Sequence, residues 1–169
     1  MSVSYRDARP ADAEALTAFF KRCFSETFAH LYSAENLEAF LAGRTAPKLE
    51  RELRDPAFAI HIAEIGDALA GYIKLGPPSL PFEPRGRPIE LRQLYVDAEH
   101  HGAGVARALT DWAIAEASRR GADELYLSVF VENHRARRFY ERYGFEAVGR
   151  YDFVVGTHVD EDIVLRLAL

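Results

Sequence analysis

Four features of this sequence could do chemistry: a carboxylate at Glu90, the turn His101-Gly-Ala-Gly-Val-Ala-Arg107, an asparagine at Asn133 and a phenol at Tyr140. A glycine-containing turn that opens a helix leaves the first backbone N–H groups without intrahelical partners. The helix dipole puts partial positive charge at the same place, which suits a phosphate. Gly102 and Gly104 let the chain bend tightly and let a pyrophosphate approach the backbone, while Arg107 can add a side-chain charge. Taken alone, two glycines fit any strand-to-helix connection equally well. A nucleotide P-loop is disfavoured because no Lys-Ser or Lys-Thr follows, and the dinucleotide fingerprint fails because Arg107 stands in place of a third glycine. His100 and His101 are adjacent, so their side chains point apart, and no second cluster with zinc-ligand spacing exists; no metal is expected.

The second constellation runs from Asn133 to Phe145. Asn133 is a natural helix N-cap, Ala136, Phe139, Tyr140 and Tyr143 share one helical face, and Gly144 ends the helix. In isolation these aromatics read as ordinary core under a short helix. Cys23 falls in the apolar helical stripe of Leu16, Phe19, Phe20 and Phe24, which makes it a small buried hydrophobe and not a nucleophile.

These residues need a frame. Val3 to Arg9 reads as a strand and Pro10 as a helix start; Ser33 and Thr45 can cap two further helices, the second reaching toward Asp55. Residues 57–64 and 69–75, joined by Gly66-Asp67, have the pattern of an antiparallel hairpin, and an irregular loop follows from Pro77 to Pro88. A strand from Ile89 to Val96, a helix from Val105 to Arg120 and a strand from Glu124 to Val131 make a crossover with two parallel strands. A helix from Arg135 to Tyr143 and strands over 145–151 and 162–167 complete the order. The class is α/β: one twisted, mixed sheet of about six to seven strands with helices on both faces.

The chain has 169 residues, of which 49% are hydrophobic, and this fits a single domain spanning 1–169. Its formal charge of −5 argues against general affinity for nucleic acid. No apolar run approaches the roughly 20 residues that cross a bilayer, no signal-peptide layout opens the chain, and one cysteine forms no intrachain disulfide; a cytoplasmic protein is expected.

The two constellations together resemble the signature motifs of the GNAT superfamily of N-acetyltransferases. In the first motif, Gln or Arg is followed by two residues, Gly, one residue, and Gly or Ala. This chain has His101-Gly-Ala-Gly104-Val-Ala106, so His101 departs from the pattern. The second motif, Asn-x-x-Ala-x-x-Phe-Tyr-x-x-x-Gly-Phe, is matched at every named position from Asn133 to Phe145. The resemblance implies acetyl-CoA as cosubstrate. It implies that backbone groups of Leu94, Tyr95 and Val96 meet the thioester and pantetheine arm. It also implies that the amides of Gly102, Ala103, Gly104, Val105, Ala106 and Arg107 cradle the pyrophosphate, that Asn133 contacts the pantetheine, that Ala136 and Arg138 lie along the cofactor, and that Tyr140 sits by the sulfur. Because amides make the cradle, His101 puts in doubt only what the first side chain contributes.

Acetyl transfer to an amine needs a neutral nitrogen, a stabilised oxyanion and a proton for the departing thiolate. An alkylammonium with a pKa near 10.4 is about 99.9% protonated at pH 7, so freeing its lone pair costs about 4 to 5 kcal/mol. Glu90 is the candidate base, directly or through water, although an exposed strand residue reads the same way. Tyr140 is the candidate acid, and direct transfer in a ternary complex is expected. Glu26-Thr-Phe28, residues 33–41 and Gly71-Tyr-Ile-Lys74 resemble bacterial spermidine and spermine N-acetyltransferases, which implies a polyamine acceptor; a protein N-terminus, an amino acid or an aminoglycoside competes. Many such enzymes pair as homodimers. The alternative of another class is a domain that binds acetyl-CoA as a sensor without turnover.

Overall fold

A computed structural model describes residues 2–169. Its seven strands are β1 (Val3–Asp7), β2 (Ala59–Ile65), β3 (Ala68–Gly76), β4 (Pro88–Val96), β5 (Glu124–Phe130), β6 (Glu146–Val155) and β7 (His158–Ala168). Five α-helices accompany them: α1 (Ala13–Phe28), α2 (Ala34–Ala42), α3 (Ala46–Arg54), α4 (Val105–Arg119) and α5 (His134–Arg142). The sheet order is β1-β2-β3-β4-β5-β7-β6, antiparallel throughout except for the parallel pair β4 and β5. Among the described residues no helix is long and apolar enough to cross a membrane.

Each face of the sheet has its own core, which is why β3, an interior strand, is buried along seven consecutive residues. On one face α4 lays Val105, Leu109, Ala113 and Ala117, spaced four apart, against Ile73, Leu75, Leu91, Leu125 and Leu127. On the other, Leu16, Phe19, Phe20, Cys23 and Phe24 of α1 cover Ile60, Ile62 and Tyr72. Fully burying a Leu or Phe contributes roughly 1.5–3 kcal/mol relative to exposure, so the two apolar stripes hold the helices in place. The expected caps form: Ser33 Oγ accepts from Asn36 N at 3.1 Å and Thr45 Oγ1 from Lys48 N at 3.4 Å.

Two irregularities shape β4. Opposite the single step from Leu75 to Lys74 on β3, β4 advances from Leu91 to Gln93, so Arg92 is an extra residue, a β-bulge. Pairing with β5 covers only Pro88 with Glu124, Ile89 with Leu125 and Glu90 with Tyr126. Beyond Glu90 the two parallel strands splay. Gly71 on β3 permits close packing there, because a Cβ at that position would lie 2.8 Å from the Tyr95 carbonyl oxygen and 3.3 Å from Val105 Cγ1.

The last two strands differ from expectation. The sequence reading stops one at Tyr151 and starts the other at Asp162. In the structure they continue toward each other as β6 and β7, which turn tightly at Gly156-Thr157 with Gly156 at φ +61°. Most of β6 is exposed, so its residues carry little of the alternation by which a half-buried strand is recognised.

Candidate functional site

The splay joins two cavities. The first, about 590 Å³, opens on the α4 and α5 side and is lined by β4 from Leu91 to Val96, the turn after it, the first residues of α4, and one stripe of α5. The second, about 520 Å³, lies under α1, α2 and α3. Arg92, Gln93, Tyr95, Ser128 and Phe153 line both.

At the first cavity the glycine turn has the geometry its composition implies. Gly102 and Gly104 take φ of +84° and +83°, in the left-handed region that side chains other than glycine rarely adopt. A Cβ at either position would meet nothing within 4 Å, so conformation and open approach, not crowding, require glycine. Gly104 is the N-cap of α4 and no side chain caps it. The first helical bond is Ala108 N to Gly104 O at 3.0 Å, which leaves the N–H groups of Val105, Ala106 and Arg107 without intrahelical acceptors. These amides, with the guanidinium of Arg107 on the same wall, fit an anionic group.

His101 occupies a defined place beside this turn. Its Nε2 lies 3.0 Å from the Val96 carbonyl oxygen and its Nδ1 lies 2.6 Å from Arg135 Nη1. A neutral ring protonated on Nε2 satisfies both contacts, donating to Val96 and accepting from Arg135. The side chain therefore ties the end of β4 to the start of α5. A second tie runs between the helices: the Tyr143 hydroxyl donates to Asp111 Oδ1 at 2.8 Å and lies 3.2 Å from the Arg107 carbonyl oxygen.

Asn133 caps α5 as expected, its Oδ1 accepting from Ala136 N at 3.2 Å, and it lines the first cavity with Ala136 and Tyr140. Tyr140 is 8% exposed, its hydroxyl has no hydrogen-bond partner among the described residues, and burial pushes its phenol above the ordinary value. A firmly protonated donor is thus aimed into the cleft. Arg138 is exposed, and neither it nor Ala103 is among the residues lining the cavity; the Ala103 amide donates to the His100 carbonyl oxygen at 3.2 Å. The α5 residues that line it are Arg135, Ala136, Phe139, Tyr140 and Arg142, with Arg138 at the edge of that stripe, one turn from both Arg135 and Arg142.

Glu90 lies in the second cavity, at the last paired residue before the splay. It is 6% exposed and both oxygens are engaged: Oε1 accepts from Ser79 N at 2.8 Å and Oε2 from Ser79 Oγ at 3.1 Å. Another carboxylate, which the sequence reading placed only at the start of the last strand, faces the splay. Asp162, on β7 opposite Phe130, lines the first cavity beside Ser128. Burial pushes its pKa up to about 7, with a hydrogen bond from Ser128 opposing and the neighbouring Asp160 adding to the rise. Asp160 is committed elsewhere, accepting from the Tyr32 hydroxyl and lying 3.0 Å from His158 Nε2. The spacing of Asp160 and Asp162, two residues apart and both inward on one strand, was the available signal. Burial also pushes the Cys23 thiol up to about 11, leaving it a protonated core group.

Comparison with known proteins agrees with this geometry. Residues 13–145 match the family model described as Acetyltransferase (GNAT) family. An uncharacterized N-acetyltransferase of Mycobacterium tuberculosis is 32% identical over 155 residues, covering 91% of this chain and 96% of that protein. Among solved structures, the PaiA N-acetyltransferase of Thermoplasma acidophilum in complex with coenzyme A superposes with a TM-score of 0.80 at 22% identity over 100% of both chains. The ribosomal-protein-alanine N-acetyltransferase of Brucella melitensis superposes with a TM-score of 0.75 at 28% identity, covering 98% of this chain and 99% of that one. The chain belongs to the Acetyltransferase (GNAT) family. It is an acetyltransferase that uses acetyl-CoA as its cosubstrate.

Proposed function

We propose that the protein transfers the acetyl group to a primary amine by direct attack in a ternary complex, with the acetyl donor in the first cavity and the amine entering from the second. The observation that carries this reading is the gap between β4 and β5, onto which both cavities open. The cosubstrate supplies an activated thioester. The free amides of Val105, Ala106 and Arg107, beside the Gly102 and Gly104 turn, hold its pyrophosphate, Arg135 and Arg142 add positive charge along α5, and Asn133 and Ala136 flank the pantetheine arm. Backbone N–H groups of Leu94 to Val96 on the β5 side have no strand partner, and they are the donors for the oxyanion.

The nitrogen forms its bond to the carbonyl carbon as the carbon–sulfur bond breaks. A carboxylate takes the ammonium proton and Tyr140 gives one to the sulfur. Glu90, through Ser79 and water, is one base; Asp162 is the other, favoured by its place at the splay and by a proton affinity matched to neutral pH. A polyamine acceptor draws support from Asp160 and Asp162, whereas the second cavity is lined by Arg44, Lys48 and Arg51. The Gly71-Tyr-Ile-Lys74 likeness adds little, since Gly71 already has a packing reason.

The test is incubation with acetyl-CoA and a broad amine panel, reading acetylated product by mass spectrometry together with thiol release. Acetylation of at least one amine class is expected. Tight acetyl-CoA binding with no amine acetylated would favour a sensor instead.

A further inference from the structure

The second cavity has the opposite electrostatic character to the chain as a whole. In a protein of formal charge −5, its lining carries five cations, Arg44, Lys48, Arg51, Lys74 and Arg92, against the three carboxylates Glu52, Asp55 and Glu90. All three carboxylates are engaged by the protein. Glu52 Oε1 holds Lys74 Nζ at 2.8 Å, Glu90 is bound by Ser79 with Arg92 Nε at 3.8 Å, and Asp55 Oδ1 accepts from Ala57 N at 2.9 Å. No carboxylate of the described residues lies within 4 Å of the charged nitrogens of Arg44, Lys48 or Arg51. Arg44 lies between α2 and α3, and Lys48 and Arg51 are one turn apart on α3, with Lys48 Nζ donating to the Gly43 carbonyl oxygen at 3.1 Å. Arg44 is held there by its planar group lying 4.5 Å from the Phe40 ring centroid, a stacking that leaves its N–H edge free to bind. Across the splay, on the wall of the first cavity, stands Asp162, beside the gap through which the amine must reach the thioester.

We propose that the acceptor is a small amine that also carries a negatively charged group, a carboxylate or phosphate, with the anion at Arg44, Lys48 and Arg51 and the amine at the splay. This deepens the N-acetyltransferase reading above and rests on it. The cationic lining orients such a ligand: it attracts the anion and repels the ammonium, so the nitrogen is turned toward the splay and the thioester. A cavity of about 520 Å³ is in the range of small-molecule sites. A polyamine, with cations at every end, would place one of them among three unpaired cations of the protein.

The experiment compares ω-amino acids of increasing chain length with their amides, the matching diamines and aminoalkyl phosphates, all with saturating acetyl-CoA. The amino acids or aminoalkyl phosphates should exceed their neutral and cationic counterparts in kcat/KM by at least about tenfold, as expected for a charge-assisted contact. Carboxylate and phosphate arms tell the two anions apart. Arg44→Ala combined with Arg51→Ala should raise KM for the anionic acceptor about tenfold or more and leave KM for acetyl-CoA unchanged, with Arg44→Lys recovering part of the loss. Because α2 and α3 could shift in the double variant, Lys48→Glu is a second probe, expected to narrow the preference for anions over amides. Diamines or amides equal to or better than the anionic amines would overturn the proposal while sparing N-acetyl transfer. Acetyl-CoA bound with no amine of any charge acetylated would remove both.

Discussion

The two cavities on either side of the splayed strands are built in different ways. The one beneath α4 and α5 is marked by main-chain features, two left-handed glycines, an uncapped helix start and an unpaired strand edge, with His101 and Tyr143 tying its walls together. The one beneath α1 to α3 is made of side chains: aromatics, three unpaired cations and carboxylates held by neighbours. A backbone site recognises what every relative shares and tolerates side-chain change. A side-chain site sets what is particular to one chain, and single substitutions can retune it.

The largest effect is expected on the backbone side. Gly104→Val forces a β-branched residue to φ +83° at the cradle and should weaken acetyl-CoA binding by about 100-fold or more, read by calorimetry against an unchanged circular-dichroism spectrum. Tyr140→Phe should come next, lowering kcat about 100-fold with KM for acetyl-CoA held within a small factor. Equal loss in both constants would mean that the phenol binds and does not donate.

The base is the next point to break. Asp162→Asn should lower kcat about 10- to 100-fold and flatten the fall in rate that wild type shows as pH drops below about 7, because a base with that pKa works only when ionised. Glu90→Gln should leave this limb in place; the reverse pattern would assign the base to Glu90. A stability consequence follows from the same shift. A carboxyl raised in the folded state favours folding at pH below its unfolded pKa of about 3.9, and that contribution is lost as pH rises through about 7, so Asp162→Asn should raise Tm above pH 7 and change it little near pH 4. The smallest effect belongs to His101→Gln, which restores the usual family residue beside a cradle of amides. It should change KM for acetyl-CoA by less than about threefold in steady-state kinetics.

This division also explains what the sequence revealed. A backbone site needs glycines and caps at fixed spacing, so Gly102, Gly104, Asn133 and Tyr140 are readable along a line, as are the Ser33 and Thr45 caps and the hairpin at Gly66. The α5 stripe was readable too, from the spacing of Ala136, Phe139, Tyr140 and Tyr143. The second cavity collects residues from Leu16 to Phe153, whose meeting depends on sheet order and not on spacing. Asp160 fell outside the last strand as read because aspartate is disfavoured in strands, and Asp162, at that strand's start, did not by itself show that it turns inward beside Asp160.

The extra residue at Arg92 acts on β4 as a frameshift acts on a reading frame. Upstream, Ile89 and Leu91 face α4 while Glu90 faces the other way; downstream, the parity inverts, so that Leu94 and Val96 join the α4 core and Gln93 and Tyr95 look toward α1. Substituting Arg92 leaves that parity alone, whereas removing it would turn the last four residues of the strand inside out. Inheritance at this position is therefore constrained in length more tightly than in letter.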